Sequence, residues 1–128
     1  MLNDAVRALL DAKNYATICT TNPDGSPQSS VIWVIRDGDD LLFSTLRDRR
    51  KERNLRRDPR ASVSVFSLAD PEEYAEIRGT VTISEDEGLV VAHALAQKYT
   101  GKDHEPPAPG TVRVVLRLTP TKVAGHAA

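Results

Sequence analysis

The sequence has 128 residues, of which 40% are hydrophobic and 27% charged, and its formal net charge at pH 7 is −1. A chain of this length and composition is expected to form one soluble domain over residues 1–128. The near-zero charge excludes bulk attraction to nucleic acid, and no stretch is apolar enough to span a membrane. The single cysteine, Cys19, is expected to be a buried structural thiol. With no disulfide possible and no secretory apolar run near the start, we expect a cytoplasmic protein.

The first half of the chain predicts one helix and three strands. The helix begins where Asn3 or Asp4 can cap it and ends where Asn14 can adopt the left-handed conformation. Strong turn signals, such as residues 22–25, separate the strands, and the apolar run 31–35 indicates burial on both faces of the second strand. Tight turns between consecutive strands predict an antiparallel meander. The strands cover Tyr15 to Thr20, Gln28 to Arg36 and Leu41 to Thr45.

The second half predicts a short basic helix, three more strands and a longer helix. The basic helix ends before Pro59, because the residue before a proline disfavours helix. Ser84 and Glu87 match a capping box that starts the longer helix, which runs to about Thr100 and ends at Gly101. The strands cover Ala61 to Ser67, Tyr74 to Ser84 with a bulge or close contact at Gly79, and Val112 to Thr119. We therefore predict a mainly β fold with helices (α+β), in which six or so antiparallel strands close a small barrel beside two to three helices.

The segment from Arg47 to Arg60, called the basic segment below, concentrates the positive charge of the chain. It holds eight of the 17 Lys and Arg residues together with three acids, a local charge of +5 in a chain of net charge −1. Guanidinium groups bind phosphate and carboxylate through paired donors, so the segment predicts an oxyanion site. The alternative is a solvated helix face whose charges bind nothing specific.

Other chemistry is sparse in the sequence. His93, His104 and His126 lack the spacing of a metal site, and neither a Ser/His/Asp triad nor a glycine-rich nucleotide signature is present. An enzyme of this sequence would therefore depend on a cofactor. Polar side chains on two predicted strands near the basic segment suit a planar ring with a phosphorylated tail, although ordinary turn chemistry at strand ends is the alternative. These residues are Gln28, Ser29, Ser30, Ser44 and Thr45.

Four stretches carry a resemblance that covers nearly the whole chain: Ala16 to Gln28, Val31 to Val34, Arg49 to Ser62 and Tyr74 to Gly79. The run Lys51-Glu52-Arg53-Asn54-Leu55-Arg56-Arg57-Asp58-Pro59-Arg60 is its most specific part. On these residues the chain resembles the split β-barrel superfamily of flavin- and deazaflavin-binding proteins, the pyridoxamine 5′-phosphate oxidase-like proteins. Within that superfamily it resembles the actinobacterial group that uses the deazaflavin coenzyme F420.

The resemblance implies an FMN-binding-protein-like split barrel that forms a homodimer, with the cofactor at the subunit interface and a small-molecule substrate. It implies that Arg49 and Lys51 hold the cofactor phosphate and that Asn54 orders the phosphate loop. Tyr74 would approach from the partner subunit. No acid or base residue is required, because a reduced deazaflavin delivers hydride itself. The residues expected along the ring system are Gln28, Ser29, Ser30, Ser44 and Thr45.

The number of cations favours F420 over FMN. F420 carries a phosphodiester and a polyglutamate tail, whereas FMN has one terminal phosphate, so F420 can use more of the basic segment. We expect F420-dependent hydride transfer to or from a conjugated or quinone-like compound. The alternatives are an FMN-dependent oxidoreductase of the same fold and a non-catalytic protein that binds F420 or flavin. A nucleic-acid module is not expected, because the basic segment has no interleaved aromatic residues.

Overall fold

Seven antiparallel strands form one sheet in a computed structural model that describes residues Met1–Ala128. The strands are β1 (Ala16–Thr21), β2 (Pro27–Ile32), β3 (Ile35–Asp37), β4 (Asp40–Leu46), β5 (Arg60–Phe66), β6 (Tyr74–Glu85) and β7 (Arg113–Ala124). Their order in the sheet is β2-β1-β5-β6-β7-β4-β3. The two end strands, β2 and β3, are joined directly by Trp33 and Val34, so the sheet curls back on itself. The predicted α+β class and antiparallel barrel are confirmed.

Three α-helices accompany the sheet: α1 (Asp4–Asp11), α2 (Arg50–Arg57) and α3 (Val90–Thr100). The Asn3 side chain caps α1 by accepting the Val6 N–H at 2.8 Å, as predicted. The basic segment forms α2 and ends before Pro59, also as predicted. The longest α-helix has 11 residues, too few to cross a membrane.

The two predicted antiparallel pairings form, β1 with β2 and β3 with β4, but they are not joined into one meander. The segment expected to be one strand from Gln28 to Arg36 is broken at Trp33 and Val34, which leave the β2 edge and continue into β3 at the other end of the order. β2 pairs only with β1, and β3 pairs only with β4. The expected burial of both faces is also wrong, since Val31 is 69% exposed.

Two predicted helix ends need correction. Strand β6 continues through Ser84, and a one-turn 3₁₀ helix at Glu87–Leu89 precedes α3, so the predicted capping box does not form. Asp86 caps the helix instead, because its carboxylate accepts the N–H groups of residues 91 and 92 at 3.2 and 2.9 Å. Asn14 is not left-handed. Its amide is buried and donates to the Leu9 carbonyl at 2.9 Å.

The core lies between the inward faces of the strands and the apolar side of α1. Alternate residues of β1 and β5 point inward, as the pleat requires, so Cys19 faces outward and is half-buried rather than buried. The predicted close contact at Gly79 is confirmed: an added Cβ would lie 2.2 Å from the Thr119 carbonyl oxygen, where the β6–β7 register shifts. Fully buried core residues include Val6, Leu10, Ile18, Phe43, Ile77 and Leu116.

Candidate functional site

A cavity of about 840 Å³ lies between α3, the chain after it and residues of β2 and β4. Its volume is in the range of small-molecule sites, roughly 300–1,000 Å³. Its lining is mixed. The apolar residues include Val31, Trp33, Leu46, Leu95 and Ala96, and the polar and charged ones include Ser44, Lys51, Asp103, Glu105, Thr111 and Arg113.

The apolar part of the lining is held in place by stacked aromatic rings. Trp33 stacks on Tyr99 of α3 with ring centroids 5.1 Å apart and an angle of 4° between the planes. The Tyr99 hydroxyl accepts the Val34 N–H at 3.3 Å and donates to the Asn14 carbonyl. The break between β2 and β3 therefore places Trp33 as a fixed wall of the cavity.

Lys98 of α3 also holds the break between β2 and β3 in place. Its ammonium donates to the Leu10 carbonyl at 2.5 Å and to the Val34 carbonyl at 2.7 Å, which joins α3 to α1 and to the break. Burial lowers the pKa of Lys98 to about 8, and the Asp11 charge partly opposes that shift. The position of Trp33 in the cavity wall therefore depends in part on Lys98, whose pKa lies well below that of an ordinary lysine.

Three cations lie near one another without an acid partner: Lys51 and Arg113 line the cavity, and Arg49 lies outside its lining. Lys51 and Arg113 are half-buried, Arg49 is exposed, and no carboxylate oxygen lies within 4.0 Å of any of them. Burial lowers the pKa of both Lys51 and Arg113, and the neighbouring Arg49 charge lowers each further. Clustered, partly desolvated cations of this kind favour the binding of an anion.

The turn before α2 positions Arg49, which precedes the helix, and Lys51, which lies in its first turn. Asp48 in this turn has a φ of 73°, a left-handed conformation that is unusual for a residue other than glycine. The carboxylate of Glu52, only 1% exposed, accepts the Asp48 N–H at 2.7 Å and pairs with Arg56 at 2.8 Å. Arg56 also contacts the Asp48 carboxylate at 2.8 Å. These three side chains fix the turn that precedes the two cations.

Asn54 fixes the other side of α2. It is fully buried, and its amide donates to the Thr20 hydroxyl and to the Asn22 side-chain oxygen, both at 3.0 Å. The Thr20 hydroxyl in turn donates to the Gln28 side-chain oxygen at 2.7 Å. Gln28 and Asn54 thus belong to one polar network that joins α2 to β1 and β2. Both contribute to the position of the basic segment rather than to the cavity lining.

The remaining predicted site residues are spread over the sheet. Ser44 lines the cavity, whereas Thr45 is buried on the opposite face of β4. Ser29 is exposed on β2 beside Ser30, whose Oγ is the one buried side-chain polar atom without a hydrogen-bond partner. Tyr74 lies outside the cavity lining, 38% exposed and packed against His126 with ring centroids 5.5 Å apart. The structure therefore brings Ser44 and Lys51 together in the cavity.

Sequence reasoning missed Arg113, Trp33 as a wall, and the chain after α3. Residues 102–108 all line the cavity. Side chains of α3 hold this segment in place: Gln97 donates to the Asp103 carboxylate at 2.8 Å, and His93 Nδ1 accepts the His104 N–H at 3.0 Å. This segment is rich in proline, which is typical of a loop but does not indicate what the loop covers. No group of three or more His, Cys, Asp or Glu side chains is placed to hold a metal ion.

Comparisons with known proteins agree with this fold. A family model described as pyridoxamine 5′-phosphate oxidase matches residues 2–127. A solved structure named F420 reductase is 34% identical, with 92% of this chain and 94% of that chain covered and a TM-score of 0.85. A putative pyridoxamine 5′-phosphate oxidase from Listeria innocua is 19% identical over 98% of both chains, with a TM-score of 0.76. An FMN-binding protein from Nostoc punctiforme is 21% identical over 91% of this chain and 75% of its own, with a TM-score of 0.64. The last two share the fold alone.

Proposed function

Because the chain belongs to the pyridoxamine 5′-phosphate oxidase family, we propose that it is an F420-dependent oxidoreductase. It transfers a hydride between the deazaflavin and a conjugated or quinone-like small molecule. The 34% identity to a protein named F420 reductase, over nearly the full length of both chains, supports the choice of cofactor. A cofactor is needed because the cavity has no catalytic triad or metal set of its own.

The observation that carries this proposal is the group of unpaired cations, Arg49, Lys51 and Arg113, at a cavity whose lining also has an apolar wall. A planar ring system suits the wall made by Trp33, and an anionic tail suits Arg49 and Lys51. The residues present therefore fit a molecule with one flat half and one anionic half.

Each group of residues has a distinct role in this proposal. Arg49 and Lys51 bind the phosphate, while Asn54 and Gln28 hold α2 and β2 in register through their shared network. Ser44 lies along the ring system beside Lys51. Ser29, Ser30 and Thr45 do not line the cavity, and a place for them along the ring stays a prediction. The bound deazaflavin supplies the hydride, and the chain supplies orientation and a partly dry cavity.

Binding measurements test the phosphate assignment. Arg49→Ala and Lys51→Ala should each weaken F420 binding about ten- to a hundred-fold, since a hydrogen bond to a charged group is worth roughly 1.5–3 kcal/mol. Arg60→Ala is the matched control, because Arg60 belongs to the same basic segment but pairs with Asp58 at 2.8 Å. If the first two variants bind like the parent, the phosphate lies elsewhere on the barrel.

Two further measurements separate the alternatives. Fluorescence titration compares F420 with FMN, and equal or tighter binding of FMN would favour the flavin-dependent enzyme. Reoxidation of reduced F420 across a panel of conjugated and quinone-like acceptors then tests catalysis. Tight F420 binding with no turnover on any acceptor would favour a non-catalytic binding protein.

We also propose a homodimer in which the second copy completes the cofactor site. Val31 and Val90 are each 69% exposed, which is unusual for β-branched apolar side chains, and Val31 lines the open cavity. In this arrangement Tyr74, which lies outside the cavity of its own chain, approaches the site of the partner. Light scattering at micromolar concentration tests the assembly, and a monomer that still binds F420 would contradict it.

A further inference from the structure

We propose that Arg113, at the start of β7, binds an oxyanion of the molecule held in the cavity, together with Arg49 and Lys51. This inference rests on the proposed function in taking the cavity as the cofactor site. It adds a third cation from outside the basic segment and extends the anion-binding end of the cavity onto the sheet.

Strand pairing places Arg113 beside the turn that carries the other two cations. Arg113 lies opposite Leu46, the last residue of β4, and the backbone N–H of Arg47 donates to the Val112 carbonyl at 2.9 Å. The guanidinium Nη1 of Arg113 donates to the Ser44 hydroxyl at 3.3 Å. A single polar corner therefore joins the end of β4, the start of β7 and the turn before α2.

Arg113 lacks the acid partner that its neighbour on the same strand has. Arg117 contacts Asp37 at 2.9 Å and Asp40 at 3.0 Å. Asp86 is the acid whose charge acts on Arg113, but its two carboxylate oxygens already accept backbone N–H groups at the start of α3. A half-buried guanidinium with one hydroxyl contact leaves most of its five donors available, and Arg49 adds unfavourable like charge. A bound oxyanion would accept hydrogen bonds from the free donors and would offset the repulsion between Arg113 and Arg49.

Three cations exceed the charge of a single phosphodiester. In F420 the matching groups are the phosphodiester and the glutamate carboxylates, and both present the same planar or near-planar oxygen pairs that guanidinium binds. Both groups are oxyanions. Ligands that lack the glutamates, or lack the phosphate as well, can show which of the two Arg113 binds.

The test compares Arg113→Gln with Arg117→Gln, a matched change on the same strand. The first probe is inorganic phosphate at constant ionic strength, read as the increase in melting temperature of the cofactor-free protein. We expect Arg113→Gln to lose most of this increase and Arg117→Gln to keep it. Direct titration should then give about tenfold weaker F420 binding for Arg113→Gln, unchanged binding for Arg117→Gln, and partial recovery in Arg113→Lys.

Truncated ligands identify the oxyanion. If Arg113→Gln weakens a deazaflavin that has the phosphate but no glutamates, Arg113 binds the phosphate; if only the full F420 is affected, it binds the tail carboxylates. An equal loss of affinity for the ribityl deazaflavin, which carries neither group, would overturn the inference. Unchanged binding of both phosphate and F420 would overturn it as well. A parent protein that responds to phosphate through Arg113 but does not bind F420 would refute the proposed cofactor and leave the inference standing.

Discussion

Glu52 offers the sharpest test of how the fold presents the cations. Its carboxylate is almost completely buried, accepts the Asp48 N–H at 2.7 Å and pairs with Arg56 at 2.8 Å. Glu52→Ala removes both contacts and leaves the left-handed Asp48 without its main restraint. We expect a loss of stability together with a loss of anion binding, because this turn directly precedes Arg49 and Lys51.

The size of the effect follows from the contacts. A hydrogen bond to a buried charged acceptor contributes about 1.5–3 kcal/mol. The ion pair with Arg56 adds only about 0–1 kcal/mol, because the Arg56 side chain is 51% exposed. The sum is a destabilisation of about 1.5–4 kcal/mol, or about 6–16 °C in melting temperature for a domain of this size. Glu52→Gln keeps an oxygen that can accept the Asp48 N–H, so its destabilisation should be roughly half that of Glu52→Ala.

Urea unfolding and phosphate titration should be measured on the same variants. Asp48→Gly is a useful control, because glycine adopts the left-handed conformation freely and this offsets the lost contact with Arg56. If Glu52→Ala unfolds within about 0.5 kcal/mol of the parent, the contacts do not hold the turn. If it is destabilised but binds phosphate normally, the turn does not position the cations.

Three other predictions concern stability. Because Lys98 has a folded pKa of about 8 against an ordinary 10.5, the unfolded chain binds more protons between these values. The free energy of unfolding of the parent relative to Lys98→Met should therefore rise by about 1–2 kcal/mol from pH 8 to 10.5, allowing for partial exposure; a constant difference would contradict the assignment. Gly79→Ala should cost about 1–3 kcal/mol in urea unfolding, because its Cβ would meet the Thr119 carbonyl, and a neutral result would mean that β7 shifts freely. Asn54→Ala should cost about 2–4 kcal/mol by breaking the buried network with Thr20, whereas a loss below about 1 kcal/mol would show that water replaces the amide.

Local patterns predicted the elements well where short-range chemistry decides them. Asn3 caps α1 and Pro59 follows the end of α2, because a cap and a proline act on adjacent backbone. The pattern failed at Trp33 and Val34, which have high strand propensity but leave the sheet. Their position is decided by Tyr99 and Lys98, more than 60 residues away, whose contacts hold the break.

The candidate site was partly predictable for the same reason. Lys51 could be singled out because the cations around it are consecutive in sequence. Arg113 could not, because it reaches the same corner only through the pairing of β7 with β4. Glu52 belongs to a run of charges, and nothing local distinguishes a buried carboxylate from a solvated one. The reason for its burial lies in the turn at Asp48, whose left-handed conformation directs the Asp48 N–H toward the Glu52 carboxylate.

The structure also changes how the surplus of cations bears on the cofactor. From the sequence, Arg53, Arg56 and Arg57 were all available for a polyglutamate tail. Arg56 is committed to Asp48 and Glu52, and Arg57 donates to the Thr21 carbonyl, which leaves Arg53 exposed on α2. Arg113 adds a second half-buried cation to Lys51 in the cavity, so the preference for F420 over FMN depends less on the length of the basic segment than on Arg113. If Arg113 binds the tail carboxylates, which FMN lacks, removing it should narrow the difference in affinity between the two cofactors more than removing Arg53 does; if it binds the phosphate, both cofactors should lose affinity together.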